Sequence, residues 1–342
     1  GNTNDTTSFD QEIFLINLSD NFITPSIEVY KNSVDQLVIA ANDFNSDKTS
    51  SKLDTLKSCW KTALINWQGI SFIGPSKYLT ETQIEYTNIF PVDTNSVIDN
   101  ITNSYSPSDN DQEGFQTIDY LLYSKNSQET IDYFTINSFA SQYLTIVVNN
   151  ISDIANNIHT KWNNEKQSFV EDFSSVANGS SVSLMVNALN KHYEYYIRRG
   201  KFGLPLNVFD QFTQDVDPHL VECYFYGQSL PFAIKAVESL QNFVNGCAYN
   251  NSEDNLFGFD DYLDYVNAQH SGINLSVKIN NQFEEILTAL NGLNDPLSNE
   301  IQTNKAQADD AYDKLQALVP LLKVDLTSAL GVQITYADND GD

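Results

Sequence analysis

The chain has 342 residues, with 45 acidic against 18 basic side chains and a formal net charge of −27. Such a field repels nucleic-acid phosphates and anionic lipid head groups, so neither is an expected partner; it favours solubility and attracts cations. A hydrophobic fraction of 41% with 12% aromatics is enough for packed cores and excludes wholesale disorder.

The length suits two domains of ordinary size. The first residues, Gly1 to Thr7, form a polar tether. They read as the start of a trimmed export precursor, such as a bacterial lipoprotein lacking its anchoring cysteine. No apolar run reaches the ~18 residues a membrane-spanning helix needs, so the expected membrane link is a removed lipid anchor. Of the cysteines, Cys59 sits among Leu56, Trp60 and Ala63 and reads as core, whereas Cys223 and Cys247 could form one bridge if their geometry allows.

Helical periodicity dominates from the N-terminus onward. Ile27, Tyr30, Val34, Leu37, Val38, Ala41 and Phe44 make one stripe, with Pro25 marking its start or a kink. Leu53, Leu56, Trp60, Ala63, Leu64 and Trp67 make a second stripe, which stops near Gly69, and Gly74-Pro75 punctuates the exit. Trp60 and Trp67 read as core, with an aromatic ligand wall as the alternative. Residues 76–110 are polar and turn-rich and read as a long irregular connection. A helix opens near Gly114, and another spans about 128–162. Polar residues 164–181, with Asn178-Gly179-Ser180-Ser181, mark the boundary between domains 9–170 and 171–332.

In the second half, helices are predicted near 182–198, 229–245, 258–268, 274–291 and 300–329. Short extended pieces fall at 208–212 and Thr335. Residues 1–8 and 333–342 read as flexible termini. The closing Asp338-Asn339-Asp340-Gly341-Asp342 is similar to the start of a calcium loop but lacks its distal Glu, so it reads as an acidic tail. The fold class is therefore all-α: two antiparallel helical-bundle domains packed side by side.

Gly114-Phe115-Gln116-Thr117-Ile118-Asp119 resembles the imelysin signature G-x-H-x-x-E, and Leu121-Leu122 follows as the apolar pair. Other landmarks fall in that family's order. These are Trp60 and Trp67 before Gly74-Pro75, Pro91-x-Asp93, Trp162, Lys201-Phe202-Gly203-Leu204-Pro205, Glu222 before Ser229-Leu230, and Leu330-Gly331. The chain is thus similar to imelysin-like proteins over nearly its whole length. The resemblance implies two helical bundles with the motif at their interface. It also implies export to the periplasm or outer-membrane surface, ties to iron uptake, and a named peptidase activity.

The motif's His is Gln116 here and its Glu is Asp119. Three residues apart on a helix, they share a face. An amide is a weak ligand and carries no proton near neutral pH, so the metallopeptidase expectation weakens. No catalytic residue is assigned. The candidate ligand site comprises Gly114, Gln116 and Asp119 from one domain and Arg199, Lys201, Glu222 and Ser229 from the other. Asp119 and Glu222 are candidate ligands for iron or zinc. His219, three residues before Glu222, could add a ligand or simply face solvent. The adjacent Arg198 and Arg199 are the chain's only arginines, and either an anion-binding or a structural role suits them. The expected partner is a small ligand or metal ion, and the expected state is a monomer.

Overall fold

Asp10 starts the first helix by accepting the Ile13 amide N–H, opening α1 (Gln11–Asn17). The computed structural model describes residues 9–73, 79–210, 212–213 and 215–337, with backbone alone at 253–255. Residues 1–8, Gly74-Pro75 and the acidic tail 338–342 therefore lie outside the described residues.

A π-helical stretch, Leu18–Ile23, leads into α2 (Thr24–Ser46). Pro25 sits in the first turn of α2, where its missing N–H would have no intrahelical partner anyway. The predicted stripe from Ile27 to Phe44 is buried except at Val38, which is partly exposed. Thr49 caps α3 (Ser50–Gln68), which ends at Gly69 and buries Trp60 and Trp67. α2 packs along both α3 and α8 (Ser138–Glu171).

Two elements differ from expectation in this half. The predicted irregular connection holds α4 (Glu81–Thr87), opened by a Thr80–Gln83 capping box, and α5 (Thr94–Asn103), capped by Asp93. Helices of this length bury so few apolar residues (Ile84; Val97 and Ile101) that no stripe betrays them, and their caps carry the signal. After α6 (Gly114–Tyr123), the single helix predicted for 128–162 is split into α7 (Ser127–Ile136) and α8. Asn137 makes the break: its backbone and side-chain N–H groups both donate to the Tyr133 carbonyl, each at 2.9 Å.

The chain reaches the second half through 172–180, where Ser180 caps α9 (Ser181–His192). α9 continues as a π-helix, Tyr193–Gly203, and then gives way to turns and a 3-10 turn at Pro218–Leu220. Next come α10 (Leu230–Val244), α11 (Phe259–Tyr265), α12 (Leu275–Asn291), α13 (Leu297–Thr303) and α14 (Lys305–Pro320). A third π-helical turn, Leu321–Leu326, precedes α15 (Thr327–Leu330). The helix predicted for 300–329 is interrupted at Asn304, which leaves helical geometry. The short strands lie elsewhere than predicted. β1 (Cys247–Ala248) pairs antiparallel with β2 (Asn251–Asn255), and β3 (Gln269–His270) with β4 (Ile273–Asn274). The second hairpin turns on Ser271 and Gly272, both at positive φ, the geometry that two-residue hairpins favour.

The fold is all-α, and its buried apolar residues form one continuous cluster across both halves. The N-terminal segment crosses onto the second half. Phe14 packs edge-on to Phe259 (4.9 Å) and Phe22 to Phe243 (5.1 Å), while Asn17 donates to the carbonyls of Gly246 (2.9 Å) and Phe257 (2.7 Å). Residues 333–337, expected to be a loose tail, are fastened instead. Asn187 bonds Gln333 O and Thr335 N, and the Tyr336 hydroxyl donates to Glu194.

A candidate site between the two halves

Gly114 opens α6 hard against the end of α4. Its φ is +77°, and a Cβ there would lie 2.5 Å from the Thr87 carbonyl oxygen, so only glycine fits. The Trp60 indole donates to the Phe115 carbonyl at 2.9 Å and fixes the helix start. The motif side chains are then carried inward: Gln116 is 3% exposed and Asp119 1%.

Both face the second-half segment 221–227. That segment has no regular structure, so its buried N–H groups need outside acceptors. Gln116 Oε1 accepts from Cys223 N at 2.8 Å. Asp119 accepts from Phe225 N at 3.1 Å and Tyr226 N at 2.8 Å. Cys223 is held at φ +56°, a strained geometry for a residue with a side chain. Burial pushes the Asp119 carboxyl up to about 7; the two N–H donors oppose the shift, and the Glu222 charge adds to it. Burial likewise pushes the Cys223 thiol well up, helped by Asp119 and Glu222.

The network continues through residues the sequence did not flag. Gln116 Nε2 donates to Asn88 Oδ1 (2.8 Å), and Asn88 Nδ2 to Glu222 Oε2 (2.8 Å). Gln68 Nε2 reaches the same oxygen at 3.2 Å, and Lys201 Nζ takes Glu222 Oε1 at 2.6 Å. The Ser229 hydroxyl donates to the Glu222 carbonyl, while its backbone N–H and that of Leu230 are held by Asp295 at the start of α10. Gly114, Gln116, Asp119, Lys201, Glu222 and Ser229 thus form one contiguous region. Of the predicted ligand residues, however, only Gln116 and Asp119 line the adjoining cavity; Gly114, Lys201, Glu222 and Ser229 do not, and Arg199 is placed elsewhere, over the Phe209 ring at 5.3 Å. The buried Arg198 donates to Gln316 at 2.8 Å and Tyr312 at 3.2 Å, the structural role weighed for this pair. No sequence signal marks Asn88 or Gln68, because an isolated polar residue at a helix end is commonplace.

A cavity of about 370 Å³ lies against Gln116 and Asp119. Phe90, Pro91 and Val92 frame it from one half, and His219, Tyr224 and Phe225 from the other. His219 is exposed, its ring tilted against that of Tyr224 at 5.1 Å, whereas Glu222 turns inward to Lys201, so this H-x-x-E spacing does not act as a pair. Among the described residues, no three His, Cys, Asp or Glu side chains converge on a point that could hold a metal ion. All four carboxylate oxygens of Asp119 and Glu222 already accept from N–H donors, which a cation would have to displace. Cys223 and Cys247 do not form the disulfide bridge considered for them.

A buried polar network beside a cavity, joining the two halves of the chain, defines a helical protein whose motif residues lie where those halves meet. The chain belongs to the imelysin family, whose profile (Peptidase_M75: Imelysin) matches residues 23–323. Two crystal structures share the fold. One is a protein of Parabacteroides distasonis described as an iron-regulated protein A precursor, with a TM-score of 0.77 at 14% identity, covering 96% of this chain and 97% of that one. The other is an imelysin-like protein of Psychrobacter arcticum, with a TM-score of 0.73 at 14% identity, covering 95% and 97%. No curated protein matches the chain significantly. Among the described residues, no helix is long and apolar enough to cross a membrane.

Proposed function

We propose that this chain is an exported binding protein that takes a small ligand or metal ion in the cleft over Gln116 and Asp119, in the service of iron or other metal uptake. The observation that carries this reading is the cavity of about 370 Å³ that has the two motif side chains on its wall and both halves on its rim. Its size suits a small molecule. Binding is preferred to peptide hydrolysis because Gln116 stands where the family motif has its imidazole. An amide neither binds zinc strongly nor moves protons at neutral pH. The similarity to a protein described as iron-regulated supports the link to iron. The place of action proposed is the periplasm or outer-membrane surface, reached through a lipid anchor on the precursor.

One observation favours a second reading, a relic site serving as a structural joint. The polar atoms of Gln116, Asp119 and Glu222 are already satisfied by protein partners. Calorimetry on the full chain with ferrous, ferric, zinc and copper ions separates the two. The binding reading expects saturable uptake of at least one ion, weakened roughly tenfold or more by Asp119→Asn. No uptake of any of them, or uptake indifferent to Asp119→Asn, overturns metal binding at this cleft and leaves the joint.

A further inference from the structure

The motif cleft of about 370 Å³ is walled largely by rings. Phe90, Tyr224 and Phe225 line it and are each half-buried, so they keep surface that a ligand can touch. Tyr224 and Phe225 stand perpendicular, at 90° with centroids 5.1 Å apart, and the exposed His219 ring leans on Tyr224. Pro91, Val92 and Val221 add apolar surface. The face of an aromatic ring carries partial negative charge and attracts a cation placed over it.

Charge narrows the choice of ligand. Among the described lining residues there is no Lys or Arg, and Asp119 puts a carboxyl group on the wall. Lys201 of the neighbouring network is already held by Glu222 at 2.6 Å. The chain as a whole carries −27, and such a field draws cations in and repels anions.

The kind of cation follows from what Asp119 already does. Its oxygens accept from the N–H groups of Phe225 and Tyr226, and a bare metal ion would have to displace them to reach a ligand atom. A bulky, weakly hydrated organic cation displaces nothing. It touches the rings through its methyl groups and feels the carboxylate's charge across van der Waals distance. We propose that the cleft takes an organic cation, with a quaternary ammonium group seated against Phe90, Tyr224 and Phe225 and Asp119 as its counter-charge. This rests on the cleft being a ligand site and specifies its small-ligand form.

Choline, its neutral carbon isostere neohexyl alcohol and the anion tert-butylacetate have nearly one shape and three different charges. They are compared by calorimetry on the full chain at about pH 8.5, where Asp119, with its value of about 7, is ionised. Choline should bind saturably, at least about tenfold tighter than the alcohol, and should shift the Tyr224 ring-proton resonances. Tyr224→Leu should weaken choline about fivefold or more, whereas Tyr224→Phe should hold it within about threefold of wild type. Asp119→Asn should remove most of the preference for choline over the alcohol; where that variant folds poorly, the three probes on the wild type still decide. Alcohol or anion bound as tightly as choline at Tyr224 would overturn the cationic ligand and leave a ligand site in the cleft. Choline binding that leaves Tyr224 unmoved, or no binding of any probe, overturns the proposal as well. Only the absence of probe binding together with the absence of metal uptake would also overturn the ligand-site reading.

Discussion

Lys201 Nζ donates to Glu222 Oε1 at 2.6 Å, with both side chains buried where the second half meets Asn88 and Gln68 of the first. Removing one partner of such a pair leaves a charge stranded without solvent, which costs more than the intact pair contributes. Lys201→Met should therefore destabilise the protein by about 3–5 kcal/mol in urea denaturation. Adding Glu222→Gln to the same chain should recover much of the loss. Equal stability of Lys201→Met and wild type would mean that water reaches Glu222.

Asp119 should titrate far from its ordinary value of 3.8, with a midpoint near 7, as followed by carboxyl ¹³C chemical shift. Its folded pKa lies above its unfolded one, so the folded state binds the proton more tightly. The stability this group contributes is then complete below about pH 4 and is lost as the pH rises through about 7. Asp119→Asn should flatten that stretch of the stability curve. A midpoint below 4 would show that the N–H groups of Phe225 and Tyr226 outweigh burial.

Gly114→Ala should lower stability by more than about 2 kcal/mol, since it adds both a left-handed backbone penalty and a collision with the Thr87 carbonyl. The control is Gly179→Ala, where φ is also positive but no atom lies within 4 Å of the added Cβ. Its smaller loss would isolate the steric share. Equal losses at the two positions would show that α4 and α6 move apart freely.

Restoring the family pattern with Gln116→His and Asp119→Glu should raise affinity for zinc or ferrous ion by at least about tenfold, measured by calorimetry. The two positions share a helix face, and the Cys223 sulfur is already 3.6 Å from Gln116 Nε2, so a sulfur donor stands nearby. No gain would count against metal use of this cleft.

The chain's local chemistry was sufficient for α2 and α3. The 3.6-residue stripes from Ile27 to Phe44 and from Leu53 to Trp67 name their own buried faces, and Pro25 and Gly69 mark element ends. The resemblance located Gly114, Gln116, Asp119, Lys201, Glu222 and Ser229 in one region before any geometry was known. It also put Arg199 there, whereas that side chain lies over the Phe209 ring. Periodicity also missed α4 and α5, which are too short to show a stripe.

Only tertiary structure decided what those residues do. Gln116 and Asp119 are acceptors for the N–H groups of an irregular segment roughly a hundred residues away in sequence, at 2.8–3.1 Å. Their partners are backbone atoms, which carry no residue identity for a sequence to display. The bridge through Asn88 joins side chains instead, but side chains from segments far apart in the sequence. Periodicity is a property of neighbours along the chain, whereas these contacts exist because packing the apolar faces brought distant polar groups together out of water.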